Sequence, residues 1–321
     1  MRVATFVFGS APLSEHVPRV SVGLAVYNGE AFLEQAIESI LGQTYRDFEL
    51  IISDNASTDR TDEICRRYAA QDSRIRYSRN ETNIGGVNNE NLTFTLSRGE
   101  FFRLAAHDDI CAPTLLEKCV KALDENPDAV LCHSANIEID ETGKQTGVRY
   151  GREGCAPTPS ERFRELSWRW YPCEATYGLM RTSILKKTRL QQNYTGSDRV
   201  LLCELGLYGR FILLEEPLFY KRFHAGNKYK DWRGRMAWFF PDLAKTGKPT
   251  FPNWLQLADY FETIRRVDIP ASEKAKCLVW VGRWLGIHSP GLANDVATAI
   301  YMKLHTKEWR ARRYSEVERW L

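Results

Sequence analysis

Residues 19–109 contain four apolar, strand-like runs, separated by segments with helical spacing. The first, RVSVGLAVYN at 19–28, is rich in β-branched residues, as a strand buried on both faces requires. Asn28-Gly29 breaks it, and Phe32, Leu33, Ile37, Ile40 and Leu41 then recur at helical spacing up to a stop at Gly42. FELIISDN at 48–55 is a second strand. The helix behind it has Ser57 or Thr58 as cap, and Asp59, Asp62 and Glu63 suit a helix N-terminus. IRYSRN at 75–80 is a third strand, residues 85–99 a weaker helix, and EFFRLAAHDD at 100–109 a fourth strand running into acids. This alternation with short joints predicts an α/β layer architecture around a mostly parallel sheet. Ligands of such sheets sit at the carboxyl ends of the strands. Asn28, Asp54, Asn83 and the pair Asp108-Asp109 all fall there or in the loops beyond, placed to line one crevice.

Downstream, an amphipathic helix runs from Pro113 to Asn126-Pro127, a strand covers 129–140, and Thr142-Gly143 makes a turn. Residues 149–165, rich in glycine, proline and charge, read as a mobile loop. Residues 183–188, 197–209 and 210–224 carry helix, helix and strand signals. Residues 1–18 read as an irregular lead-in. Beyond about residue 225 the character changes: Trp232, Trp238, Trp254, Trp280, Trp284 and Trp309 crowd among Lys and Arg, which predicts a helical C-terminal extension with amphipathic faces. The expected division is a lead-in at 1–18, a nucleotide-binding domain at 19–225 and the extension at 226–321.

Composition excludes several classes. Hydrophobic residues at 43% and charged residues at 26% are ordinary for a soluble globular protein. The 44 basic residues are nearly balanced by 41 acids, without the clustered excess of nucleic-acid binders. The eight cysteines show no CxxC pair, so reduced, mostly buried thiols are expected rather than a disulfide framework or zinc cluster. The run VATFVF near the N-terminus is too brief for a signal-peptide core. No stretch approaches the ~20 apolar residues that span a bilayer. A cytoplasmic location is the expectation.

Each candidate residue also has a purely structural reading. Adjacent buried carboxylates at Asp108-Asp109 repel unless a cation sits between them, and Mg²⁺ or Mn²⁺ takes one or two carboxylates plus substrate phosphates. The same acids could simply precede the helix near Pro113. Asp54 at a strand end can accept from a base or ribose, or serve turn chemistry. The Asn83 loop with Gly85 and Gly86 permits close backbone approach to a ligand, or is a plain turn. Asp198, before an apolar helix, is a general base or a first-turn acid. His224 is a metal or phosphate contact, or a structural imidazole.

Read in order, these residues resemble the family-2 glycosyltransferases of the GT-A fold. Residues 20–59 resemble the family pattern VSVxxPxYNxxxxLxxxlxSilxQxxxxxEiixvDdxSxD. Asn83–Gly85, the acid cluster at 107–109 and the stretch SDxxLxxELxxxGxF at 197–211 continue the match. The resemblance implies a nucleotide-sugar (UDP- or dTDP-sugar) donor site formed by Ala25, Tyr27, Asn28, Asp54, Asn83, His107, Asp108 and Asp109, with Asp54 facing the base. It implies an Mn²⁺ or Mg²⁺ cofactor on Asp108, with Asp109 supporting it and His224 nearby, and Asp198 as catalytic base of an inverting transfer. The acceptor would be a glycan, a lipid-linked glycan or a small molecule.

The sequence departs from the family at four places. Ala25 replaces a frequent Pro, Asn55 a frequent Asp, and Ala106 the first acid of the DxD motif. Glu90-Asn91 stands where Arg-Asn is common. No QxxRW follows Asp198, which argues against a processive polysaccharide synthase. An inactive nucleotide- or glycan-binding homologue is the alternative suggested by Ala106. A nucleotidyltransferase would need a triphosphate-gripping loop where AVYNGE stands, and a dehydrogenase would need a GxGxxG fingerprint. The extension would cover the acceptor, rest on a membrane face, form a dimer or pack onto the catalytic domain.

Overall fold

A computed structural model describes residues 5–7, 16–168, 171–224 and 250–304. Its centre is a 10-stranded mixed sheet. Strands β2 (Val20–Val26), β3 (Phe48–Asp54), β4 (Ile75–Arg79) and β5 (Phe101–Ala105) pair in parallel, in the order β4-β3-β2-β5. This is the predicted repeat, connected by α1 (Leu33–Leu41), α2 (Thr61–Gln71) and α3 (Gly86–Thr95). Beyond β5 the sheet continues through β9 (Leu179–Arg181), β7 (Ala129–Asp140), β10 (Arg210–Phe223) and the short β6 (Ile110–Cys111), with β8 (Gln145–Arg149) pairing β7.

The lead-in is not wholly irregular. Residues Thr5–Val7 form β1, antiparallel to β4 at the sheet edge. The stretch 149–165 is not a loop throughout either. Its second half enters α5 (Pro159–Ser167), where Thr158 accepts from the Glu161 N–H, the Glu161 carboxylate accepts from the Thr158 N–H, and Pro159 opens the helix. That reciprocal cap ties up two otherwise orphaned N–H groups.

Residues alternate between the two faces of each strand. Val20, Val22, Leu24 and Val26 pack with α1, α2 and α4 (Leu115–Glu125) in one core. Phe102 and Leu104 face a second core with α3, α5, α6 (Thr182–Leu185) and α7 (Ser197–Tyr208). On that second face β2 offers Ser21, Gly23 and Ala25. A Cβ on Gly23 would lie 2.3 Å from Thr93 Oγ1 and 2.8 Å from Phe102 Cζ, so α3 can lie against β2 only because position 23 has no side chain. Helices α8 (Pro252–Arg266) and α9 (Ala271–Leu304) join the second core through Leu257, Tyr260, Val281 and Trp284. Of the tryptophans expected in the extension, Trp232, Trp238 and Trp309 lie outside the described residues. Among the described residues no helix is long and apolar enough to cross a membrane. All eight cysteines are free thiols, and six are buried.

Candidate nucleotide-sugar site

Register aligns the carboxyl ends of the parallel strands. Val26 of β2 sits beside Asp54 of β3, Asp54 beside Arg79 of β4, and Leu24 beside Ala105 of β5. The segments that follow, Tyr27-Asn28, Asn55, Asn80 and Ala106–Asp109, therefore emerge along one edge. The loops after β2 and β3 are stitched together. Ser57 Oγ accepts from the Asn28 N–H at 2.9 Å, Thr61 Oγ1 from Gly29 N–H at 2.9 Å, and Asn28 Oδ1 from Thr58 N–H at 2.8 Å. Asn28 holds a left-handed backbone, φ 52°, which asparagine tolerates better than most residues. Ser57 and Thr58 are thus not helix caps. The side chain that accepts from Thr61 N–H as α2 begins is Asp59. Gly29 admits the neighbouring loop, since a Cβ there would sit 2.8 Å from His107 Cδ2. Tyr27 is solvent-exposed at the rim.

Asp54 is fully buried. Its carboxylate accepts from Ser57 N–H at 2.8 Å, from Tyr77 Oη at 3.1 Å and from Arg79 Nε at 3.1 Å. Contact with a base would compete with these partners, of which Arg79, also donating from Nη2 to the Ser57 carbonyl at 2.6 Å, is the most exposed, with 41% of its side chain open. Asn55 donates its amide to Asn83 Oδ1 at 2.9 Å and accepts from Ile84 N–H at 2.9 Å. An aspartate at 55 could not make that donation, which accounts for the departure there. Asn83 Oδ1 also accepts from Gly85 N–H at 2.9 Å, fixing the turn into α3.

The acid pair divides by partner. β10 runs antiparallel to β6, with Tyr220 opposite Ile110 and Phe219 opposite Cys111, so residues 221–224 pass alongside Asp108 and Asp109. Asp109 Oδ2 meets Lys221 Nζ at 3.0 Å and its Oδ1 accepts from Arg222 N–H at 2.8 Å. Both oxygens pair with β10, so Asp109 ties the loop after β5 to that strand. Among the described residues no group of three or more His, Cys, Asp or Glu side chains is arranged to hold an ion. Asp108 is different: His224 Nε2 lies 3.1 Å from its Oδ2. Burial raises the Asp108 carboxyl, but the positive surroundings of His107, Lys221 and His224 outweigh it and hold the group below its ordinary range. A carboxylate and an imidazole that meet this closely can share one hard cation, with diphosphate oxygens completing its shell.

Lys221 and Arg222 had no role assigned in the sequence. Lys221 lies 4.6 Å from the Tyr177 ring centroid. Burial works against its charge, yet Tyr177, Asp109 and Asp108 raise it well above the usual lysine range. Arg222 is buried and donates from Nε to the Asp108 carbonyl at 2.9 Å and from Nη2 to Gln35 Oε1 at 2.8 Å. Its guanidinium also covers the Phe32 ring at 4.6 Å, and that ring lies 4.7 Å from the His224 imidazole.

Asp198 stands in the first turn of α7, half-buried, with Oδ1 accepting from Arg199 N–H at 2.8 Å. Three contacts tie the loop before it to α3: Asn193 Nδ2 to Asn88 Oδ1 at 2.9 Å, Asn91 Nδ2 to the Gln191 carbonyl at 2.8 Å, and Gln191 Nε2 to Glu90 Oε2 at 2.9 Å. They bring Glu90 within electrostatic reach of Asp198. Burial, and then the charge of Asp198, push the Glu90 carboxyl up to about 7, against the pull of Gln191 and Lys221. Glu90 is the site residue that sequence reasoning left without a role. Its signal was the departure from Arg at that position.

Comparison with known proteins follows the same residues. The family model described as glycosyl transferase family 2 matches residues 21–189, more than half of the 321-residue chain. An uncharacterised glycosyltransferase of Methanocaldococcus jannaschii is 38% identical over 128 residues, 39% of this chain and 44% of its own length. Glycosyltransferase GlyG of Streptococcus pneumoniae is 31% identical over 120 residues, 37% of this chain and 40% of its own. The matches thus span less than half the length of these curated relatives. Among solved structures, S. aureus TarS 1–349 in complex with UDP-GlcNAc superposes with a TM-score of 0.61 at 18% identity, covering 86% of this chain and 79% of that one. The mannosyltransferase PcManGT from Pyrobaculum calidifontis, in complex with GDP-Man and Mn²⁺, gives 0.54 at 17% identity, covering 93% and 79%. The fold is GT-A, and with the family model matched across the strands that carry the crevice, the chain belongs to glycosyl transferase family 2.

Proposed function

We propose that the chain moves a sugar from a nucleoside-diphosphate donor to an acceptor hydroxyl with inversion at the anomeric carbon, in polysaccharide or glycoconjugate synthesis. The observation that carries this reading is the convergence of Asp108, Lys221 and His224 at the carboxyl end of the parallel strands, while α7 presents Asp198 beside Glu90. UDP-GlcNAc and GDP-Man in the two structural neighbours support a nucleotide-sugar donor, which we take to be a UDP- or dTDP-sugar.

In this mechanism Tyr27, Asn28 and the Asn83 loop enclose the nucleotide, and Asp54 reaches the base in competition with Arg79. Asp108 and His224 would hold Mn²⁺ or Mg²⁺, which neutralises charge on the diphosphate when bound. Lys221, kept protonated by its acidic neighbours, contributes fixed positive charge on the same side. Asp198 accepts the proton of the acceptor hydroxyl. That oxygen bonds to the anomeric carbon from the face opposite the leaving group, and the electron pair of the breaking C–O bond departs with the nucleoside diphosphate. Positioned general bases contribute roughly 10²–10⁴-fold. An Asp198→Asn variant should keep donor affinity and lose transfer by about that factor. Near-normal transfer by this variant would remove Asp198 from the role.

A further inference from the structure

We infer that a second groove, between α5 and α9, is a saccharide-binding site that holds the acceptor glycan some distance from the reacting hydroxyl. The cavity has a volume of about 580 Å³ and is lined by Arg152, Arg164, Glu165, Trp168, Tyr171 and Trp280 among others. That volume falls in the range of small-molecule sites, about 300–1,000 Å³.

The lining has the two chemistries a sugar needs. A pyranose presents a face of C–H bonds to an aromatic ring and turns its hydroxyls outward to charged groups. Here Trp168 and Trp280 meet edge to face at 5.4 Å and form a bent, partly exposed aromatic wall. Arg164 and Arg283 cover the Trp280 ring at 5.7 and 4.5 Å, which holds the indole in place. Around this wall Arg152, Glu153, Arg164 and Glu165 supply donors and acceptors of both signs, suited to neutral hydroxyls rather than to an anion.

Tyr171 forms part of the groove wall and is otherwise buried, only 7% exposed. Tyr171 also ties the groove to the reaction centre. Arg199, the residue after Asp198, places its guanidinium 4.5 Å from the Tyr171 ring centroid and donates to the Tyr171 carbonyl at 3.1 Å. Tyr171 thereby stands between the groove and the start of α7. The acceptor identity given to this ligand rests on the transferase reading of Asp198; the presence of a saccharide site does not.

Saturation-transfer NMR and tryptophan fluorescence on the full chain, with no donor present, test the site. The probes are cellohexaose, maltohexaose, chitohexaose and mannohexaose. At least one should bind, with chain-internal sugar protons saturated most strongly. Trp280→Ala should weaken that binding by about tenfold or more, as truncation of a central aromatic anchor does. Trp168→Ala, which removes the other half of the aromatic wall, should weaken it severalfold, with the thermal melt confirming that the chain stays folded. Asp198→Asn should bind the oligosaccharide like the parent chain, so a failed transferase reading and a failed groove are told apart. Absence of binding by all four probes, or binding unaffected by both groove variants, overturns the proposal.

Discussion

Replacing Glu90 with glutamine isolates the electrostatic load carried beside Asp198. Burial and the Asp198 charge raise the Glu90 carboxyl from 4.5 to about 7. A group whose folded value lies above its unfolded value favours the folded state below the unfolded value, and loses that advantage as pH rises through the folded one. Glu90 should therefore destabilise the chain progressively between about pH 4.5 and pH 7 and by a constant amount above. A rise from 4.5 to about 7 corresponds to about 3 kcal/mol, an upper bound because the side chain is partly solvated. Glutamine keeps the size and an acceptor for Gln191 Nε2 but carries no charge. Urea unfolding of both proteins across about pH 4 to pH 8 should show curves that coincide at the acid end. The Glu90→Gln chain should be more stable by up to about 3 kcal/mol at the alkaline end. Parallel curves would refute the reasoning, since they would mean that Glu90 ionises in the folded chain as freely as in the unfolded one.

Other variants probe the same account at different points. By ¹³C-detected titration, Asp198→Asn should lower the Glu90 midpoint below about 7, because one of the two causes of its rise is removed. Arg222→Ala should lower stability by about 3 kcal/mol or more, since the Asp108 carbonyl and Gln35 Oε1 lose a buried donor, and the change is read as a drop in the urea midpoint. Gly23→Val should cost about 1–3 kcal/mol by forcing α3 off β2, measured by calorimetry. In thermal-shift titrations with UDP, Asp108→Asn should abolish the extra stabilisation given by Mn²⁺ while Asp109→Asn lowers the baseline melting temperature and leaves the Mn²⁺ increment.

The nucleotide half of the fold was legible because each of its strands is local and apolar, and each is followed within a few residues by its helix. Period and punctuation carry that information directly. Helix α5 does carry a signal in the chain, since Thr158 and Glu161 bracket Pro159 and Phe163 and Leu166 supply the apolar face, but the glycines and charges just before them mask it. The fates of Ser57, Thr58 and Asp109 were not legible. A hydroxyl after a strand caps a helix or a neighbouring loop with equal chemistry, and here the Asn28–Gly29 loop claimed Ser57 and Thr61. Asp109 is claimed by residues 221–222, over a hundred positions away, through the β10–β6 pairing. Long-range pairing of that kind leaves no local trace. Glu90 was visible only as an exception to a pattern, and its meaning came from the loop at 191–193 that folds over α3.

Release of nucleoside diphosphate from UDP-, dTDP- and GDP-sugars, followed by phosphorus NMR in the presence of Mn²⁺, tests the donor site most directly. Even without an acceptor, slow hydrolysis of one UDP- or dTDP-sugar is the predicted result, and Asp108→Ala should abolish it. No release from any nucleotide sugar, or release that Asp108→Ala leaves unchanged, would contradict a donor site built on Asp108, Lys221 and His224.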